Sequence, residues 1–411
     1  MKQLMMILDH FPPAFAPRMG YLAKYLHDMD WDAVAISVPH PTRNTGFEFL
    51  AENIESHVIA EADYSHKTPA QKLFNELYGC SKLRPLWTRT DQLMYRKAKA
   101  LATTRSFDAI LCSTASFFPL YSATLLARET RLPLLIDLRD IYEQDDNLLS
   151  TNALSKLLHK RQIAKRNKLL AQANAVTTVS SWHKELLERY NSNTTLIFNG
   201  FDESLFSFPQ PVETEKFTIT YTGSIRVHKN PSQSPELLFD TLKQLIAKNL
   251  IDPNNIKVNF YSDCKTQLFI NQLIKKNNLQ TVVKLHPWTT TEKVPEILAQ
   301  SNVLLLLLSG NNTRGILTTK LFEYMAANRE ILCIPNNGGE MDALLTQSNA
   351  GCCINTSAEL CNYLKFKYNE WQKKRLVEPH TDRLFAENFS RERQAMQFVN
   401  ILNNIIKTNN L

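Results

Sequence analysis

Short apolar runs alternate with helical stretches twice over along this chain of 411 residues, and no other feature restricts its fold as strongly. The first series of runs covers 4–8, 33–38, 109–112, 133–137, 175–179 and 195–198. The second covers 217–222, 257–261, 282–285, 303–308 and 330–334. Helical spacing lies between them, at 19–27 in the first series and at 235–248, 266–276, 294–300 and 319–327 in the second. Strands joined through helices pair in parallel, and a parallel sheet needs both faces covered. The expected class is therefore α/β, with two doubly wound, Rossmann-like domains facing a cleft. The expected divisions are a first domain 1–206, a Pro-containing linker 207–216, a second domain 217–385 and a closing helix 386–411. That helix shows apolar spacing at Met396, Val399, Leu402, Ile405 and Ile406 and is expected to pack back on the first domain.

Composition narrows the class further. Apolar residues make up 44% and charged residues 21%, which excludes collagen-like and disordered chains. Seven cysteines, an odd number without a C-x-x-C pair, suggest neither a disulfide framework nor a zinc site. The adjacent Cys352 and Cys353 are expected to stay reduced in or near a strand. The first apolar run ends at Asp9, too short for a signal-peptide core. The block 303–308 falls far below the roughly 20 residues of a membrane span. A cytoplasmic protein is expected. Its net charge of +7 is concentrated in two stretches. Residues 82–105 hold seven Lys or Arg against one acid, Asp91, and residues 156–168 hold six against none. Each is either a solvated helix face or a basic face for an anionic membrane surface, which would place the protein peripherally on the inner membrane. No nucleic-acid partner is expected.

Two segments carry chemistry. Tyr221-Thr222-Gly223-Ser224-Ile225-Arg226-Val227-His228-Lys229-Asn230 follows a strand. Gly223 allows a tight turn, and Arg226 and Lys229 follow as closely spaced cations. Backbone N–H groups and cations in this arrangement suit a diphosphate, and they equally suit a loop with surface charges. Thr318-Thr319-Lys320-Leu321-Phe322-Glu323-Tyr324-Met325-Ala326-Ala327 opens a helix after the loop 309–315. Thr318 or Thr319 can cap it, and its N-terminal N–H groups can hold phosphate. Glu323, one turn in, can accept both hydroxyls of a ribose or can favour the helix dipole.

Together these segments, with Ile331-Leu332-Cys333-Ile334-Pro335 after them, resemble the donor half of a GT-B glycosyltransferase, of glycosyltransferase family 4 and its relatives. Other stretches agree: Asp9-His10-Phe11-Pro12-Pro13 after the first strand, Leu138-Arg139-Asp140-Ile141-Tyr142, Val179-Ser180-Ser181-Trp182-His183, and Phe198-Asn199-Gly200-Phe201-Asp202. The resemblance spans nearly the whole chain and rests on the order and spacing of these motifs. It implies transfer of a sugar, with retention, from a nucleotide-sugar donor to a glycan or lipid-linked acceptor in bacterial surface polysaccharide synthesis. It implies donor contacts from Gly223, Arg226, Lys229, Thr319, Lys320 and Glu323, and catalytic roles on the acceptor side for Arg139 and Asp140. Neither a cofactor nor a metal is implied. His10, Asn199, Trp288 and Gly315 are the further cleft candidates. His10 either contacts a substrate or is packed, Trp288 either stacks on the base or sits in the core, and Asp137 either acts at its strand end or caps the next turn.

Three departures from the pattern stand out. Gly315 occupies the position eight before Glu323, where many relatives carry a glutamate. Ala14-Phe15-Ala16-Pro17 replaces a Gly-Gly loop, and Cys112-Ser113-Thr114-Ala115-Ser116 offers no histidine. They keep open an alternative, a non-catalytic GT-B scaffold that binds nucleotide. Of only ten glycines, three (20, 46 and 79) precede residue 200. Cradling of phosphate by glycine backbone is therefore expected of the second domain.

Overall fold

The computed structural model describes residues 1–39, 46–60, 89–115, 117–144, 153–225, 233–308, 315–336 and 338–409. It forms two compact units, Met1–Asn199 with Arg391–Leu411, and Gly200–Ser390. The first division falls ahead of the expected linker, and 207–216 belongs to the second unit. There Phe208 N donates to Ala326 O and Thr214 N to Arg375 O. The buried Arg329 donates to the carbonyls of Pro209 and Gln210.

The first unit holds a seven-stranded sheet of order β3-β2-β1-β4-β5-β6-β7. Its strands are β1 (Lys2–Leu8), β2 (Trp31–Ser37), β3 (Glu55–Val58), β4 (Ala109–Thr114), β5 (Leu134–Leu138), β6 (Ala175–Thr178) and β7 (Thr194–Leu196). All pairings are parallel. The period-2 alternation of β1 sends Leu4, Met6 and Leu8 into one core and Met5 and Ile7 into the other. Helices Pro17–Leu26 and Arg391–Asn409 cover the first face through Met19, Leu22, Phe398, Leu402 and Ile405. Helices Arg89–Thr104 and Leu120–Thr130 cover the second through Met94, Ala98, Leu120 and Leu126. The last helix thus packs back on the first unit, as its spacing predicts.

The second unit holds a six-stranded parallel sheet of order β10-β9-β8-β11-β12-β13. Its strands are β8 (Phe217–Thr222), β9 (Ile256–Tyr261), β10 (Val283–His286), β11 (Val303–Leu307), β12 (Glu330–Ile334) and β13 (Gly351–Cys353). Phe217, Ile219, Tyr221, Val258 and Phe260 pack with Leu238, Phe239 and Leu242 of helix Glu236–Ala247 and with Leu360, Leu364, Tyr368 and Trp371 of helix Ser357–Lys374.

β3 and β13 are the two strands without a predicted run. Both are short sheet edges with no fully buried residue, so neither carries the apolar signal of an inner strand. β13 contains Cys352 and Cys353, both free thiols. In each sheet the strand order reverses once, between β1 and β4 and between β8 and β11. Ligands of open α/β sheets bind beyond the carboxyl ends of the strands at such reversals.

Candidate functional site

In the second unit the reversal gathers Gly223, directly after β8, with the helix Thr319–Ala326. Gly223 has φ +120°, and a Cβ there would stand 2.4 Å from Lys320 Nζ. The turn thus needs glycine twice, for its backbone and for the space the lysine fills. Lys320 Nζ donates to Tyr221 Oη at 3.1 Å and sits 4.5 Å from the centre of that ring. Burial pushes the Lys320 pKa down, and the nearby Tyr324 and Glu323 partly oppose this. Among the described residues Lys320 makes no ion pair within 4 Å, and a cation so placed attracts an anion.

The turn around it is pinned on both sides. Tyr221 Oη donates to Ser224 O at 3.1 Å, and Thr222 N donates to Tyr324 Oη at 3.2 Å. Asp263 caps the helix Cys264–Asn277 by accepting from the backbone N–H groups of Lys265 and Thr266. Burial raises its pKa, but the hydrogen bonds from Ser224 and Thr266 outweigh that and hold it low. Ile225 N in turn donates to Thr266 Oγ1 at 2.9 Å. The next residues, including Arg226 and Lys229, lie outside the described residues. Thr318 is the N-cap of helix Thr319–Ala326, and its side chain makes no capping bond. Thr319 is therefore the first helical residue. Glu323 is half-buried one turn later.

Gly315 is buried and has φ +75°, a left-handed conformation that L side chains seldom adopt. A glutamate there would strain the backbone, which is a physical reason for its replacement by glycine. Trp288 is 49% exposed in the loop after β10 and is no core residue. His286, ahead of it, stacks on Tyr261 with centroids 4.4 Å apart, and its Nε2 meets Asn259 Oδ1 at 3.0 Å.

In the first unit the reversal is built around Asp9, which local sequence shows only as the first residue of a loop. Its position, an acid at the carboxyl end of the first strand, was the available signal. Asp9 Oδ2 accepts from Ala115 N at 3.0 Å and from Thr114 Oγ1 at 3.3 Å. Asp9 Oδ1 accepts from Arg139 Nη2, and His10 Nδ1 lies 3.3 Å from it. Burial raises the Asp9 pKa, but His10, Arg139 and Ala115 together hold the carboxyl below its ordinary value. Asp140 is exposed, and its Oδ1 accepts from Gln144 Nε2 at 2.7 Å. Asn199 is half-buried, the last residue of the unit before the chain crosses to the second.

Asp137 lies one residue before the end of β5, inside the unit. It is fully buried, accepts from Arg18 Nη2 at 2.9 Å, and takes the hydroxyls of Ser113 and Thr177 at 2.8 Å each. Helix Pro17–Leu26 carries Arg18 into that pocket, so this pair is an internal brace of the unit.

The two basic stretches divide. In the first, Lys82 and Arg84 lie outside the described residues, while Lys99 pairs with Glu129 and Arg105 with Glu55, each at 2.8 Å. In the second, Arg166 is buried against Glu143 with two contacts of 2.7 Å, and Lys156, Lys160, Arg161 and Lys168 are exposed. Among the described residues no helix is long and apolar enough to cross a membrane. Nor does any group of three His, Cys, Asp or Glu among them have a metal-holding arrangement.

No family model and no curated protein sequence matches this chain. Solved structures do. HepE of Anabaena, crystallised with UDP, superimposes with a TM-score of 0.67 at 16% identity, over 98% of this chain and 100% of that one. Sucrose-phosphate synthase of Thermosynechococcus elongatus gives 0.68 at 14% identity, over 99% and 100%. The lipopolysaccharide outer core galactosyltransferase WaaB, in its apo form, gives 0.62 at 10% identity, over 98% and 99%. Two parallel sheets of this topology, matched from end to end by these glycosyltransferases, give the chain the GT-B fold.

Proposed function

We propose that this protein is a glycosyltransferase that binds a nucleotide-sugar donor in its second unit. Sugar transfer proceeds with retention to a glycan or lipid-linked acceptor in bacterial surface polysaccharide synthesis. The observation that carries this reading is Lys320, a cation without an ion pair among the described residues, held at the β8–β11 reversal against Gly223 and beside a helix N-terminus. Transfer of a glycosyl group passes through an oxocarbenium-like state as the diphosphate departs, so fixed positive charge at the leaving group lowers the barrier.

In this reading Arg226 and Lys229 grip the diphosphate, and Lys320 with the Thr319 helix start meets the phosphates or the sugar. Glu323 takes the ribose hydroxyls. Arg139 and Asp140 serve the acceptor side. HepE crystallised with UDP-glucose, and WaaB, a lipopolysaccharide outer core galactosyltransferase, support a nucleotide-sugar donor and a glycan acceptor. The exposed cations of residues 156–168, next to the 47% exposed Leu157, support docking at an anionic membrane surface.

The test is a thermal-shift series with UDP, UDP-glucose and other nucleotide sugars, followed by measurement of nucleotide release. A true donor at 100 times its Kd stabilises the fold by about 2.7 kcal/mol. Arg226→Ala is expected to abolish release of UDP. Gly315, at a positive φ where many relatives carry a carboxylate, favours a second reading, the non-catalytic scaffold. Binding without turnover by the wild type with every donor would select that reading.

A further inference from the structure

A chain of hydrogen bonds runs inward from Asp140 that the proposed function does not use. The short helical turn Tyr142–Gln144 follows Asp140, and Gln144 Nε2 donates to Asp140 Oδ1 at 2.7 Å. On its other side Gln144 Oε1 meets Nε2 of His183. His183 is fully buried in the first turn of helix Ser181–Leu187, where its backbone N–H donates to the capping hydroxyl of Ser180. Its Nδ1 is buried with no hydrogen-bond partner.

The chemistry of the three groups fixes every proton in this chain. A carboxylate only accepts, so Gln144 must turn its NH2 toward Asp140. Its carbonyl oxygen then faces His183, which must donate from Nε2. A neutral imidazole carries one N–H, so Nδ1 is left bare, as the missing partner there requires. Burial lowers the His183 pKa to about 4, with Glu143 opposing and Arg166 reinforcing the shift, so the ring is neutral near pH 7.

The turn has independent anchors. Arg166 holds Glu143 through two contacts of 2.7 Å, and His159 packs edge-on against Tyr142 at 5.3 Å. Those contacts would hold the backbone in place without His183. What His183 adds is the direction of the Gln144 amide, and through it the orientation of the exposed carboxylate. A buried donor that leaves its own second nitrogen unsatisfied is a costly way to fill space.

We infer that Gln144 and His183 are positioning residues for Asp140, the Nε2–H tautomer of His183 aligning the Gln144 amide so that Asp140 presents a fixed carboxylate to the hydroxyl groups of the acceptor. This rests on the proposed acceptor-side role of Asp140. The carboxylate remains an acceptor of hydrogen bonds throughout, and no bond to it is made or broken.

Two readouts separate this inference from the function it builds on. The first needs no turnover: ring-nitrogen NMR of the 15N-histidine-labelled protein at pH 7. His183 is expected as the Nε2–H tautomer, and Asp140→Asn and Gln144→Leu are each expected to shift it toward a mixture. An Nδ1–H ring, or a ring indifferent to Asp140→Asn, would overturn the inference. The second is kinetic, with the UDP-sugar that turns over in the donor screen. His183→Leu is expected to lower kcat about tenfold with the donor KM unchanged. His183→Gln, which restores an N–H donor, is expected to recover most of that loss. Equal losses in both variants, or a loss confined to donor KM, would assign His183 to packing alone. If the wild type turns over no donor, the function falls, while the tautomer coupling is still decided by NMR.

Discussion

The two sheet reversals treat charge in opposite ways. In the first unit Asp9 is matched by Arg139, His10 and two further donors, and Asp137 by Arg18 and two hydroxyls. Charge there is balanced within the protein. In the second unit Lys320 rests on phenol and backbone and has no ion pair among the described residues. Burial of a balanced pair braces a fold, whereas a half-buried cation without a counter-charge gains from any anion brought to it. The same topology therefore yields a closed brace at one sheet and, at the other, a cation with no ion pair among the described residues.

The comparison can be broken most strongly at its closed side. Asp137→Ala leaves Arg18 buried without its partner, and the midpoint of denaturant unfolding is expected to report a loss of about 3–5 kcal/mol. A small loss would mean that the charges of the first unit are not balanced internally.

The buried neutral His183 tests the same unit by pH. Its folded pKa, about 4, lies below the ordinary 6.5, so between those values the unfolded chain binds a proton that the folded one does not. Stability is expected to be complete above pH 6.5 and to decline by about 3 kcal/mol as pH falls to 4. His183→Gln should flatten unfolding curves recorded across that window.

At the open side, Lys320→Met keeps the apolar stem and removes the charge. Calorimetric titration with UDP is expected to give a Kd raised about tenfold to a hundredfold, or about 1.4–2.7 kcal/mol. The ligand-free melting temperature should not fall, because the lost cation had no ion pair to lose. A fall in stability with unchanged affinity would make Lys320 another brace.

The smallest expected effect is that of Gly223→Ala. Its strained φ should cost about 1 kcal/mol, and the new methyl displaces the lysine amine. UDP affinity is expected to weaken in the same direction as with Lys320→Met. Loss of stability with unchanged UDP affinity would separate the turn from the proposed donor contact of Lys320.

Much of this was legible in the chain itself. The runs 217–222 and 330–334 are strands residue for residue: Phe217, Ile219 and Tyr221 alternate with threonines at period 2, and residues 331–334 form a continuous apolar run. The edges β3 and β13 lack that signal, since each pairs with a single neighbour and has no fully buried residue. Gly223, Thr319 and Lys320 could be picked out because local sequence makes a turn and a helix start. Asp9 could not be ranked, nor Arg18 paired with Asp137, since those partners stand more than a hundred residues apart in the chain.

Periodicity and turn chemistry, which act between near neighbours, thus determined the class of fold, the order of strands and helices, and the turn and helix start at Gly223 and Thr319. Which charges cancel was decided only when the sheets brought distant strand ends together. Arg139 met Asp9, Arg18 met Asp137, and Lys320 was placed against Gly223 with a phenol in place of a carboxylate. Electrostatic balance depends on distance and burial in space, and sequence order alone specifies neither.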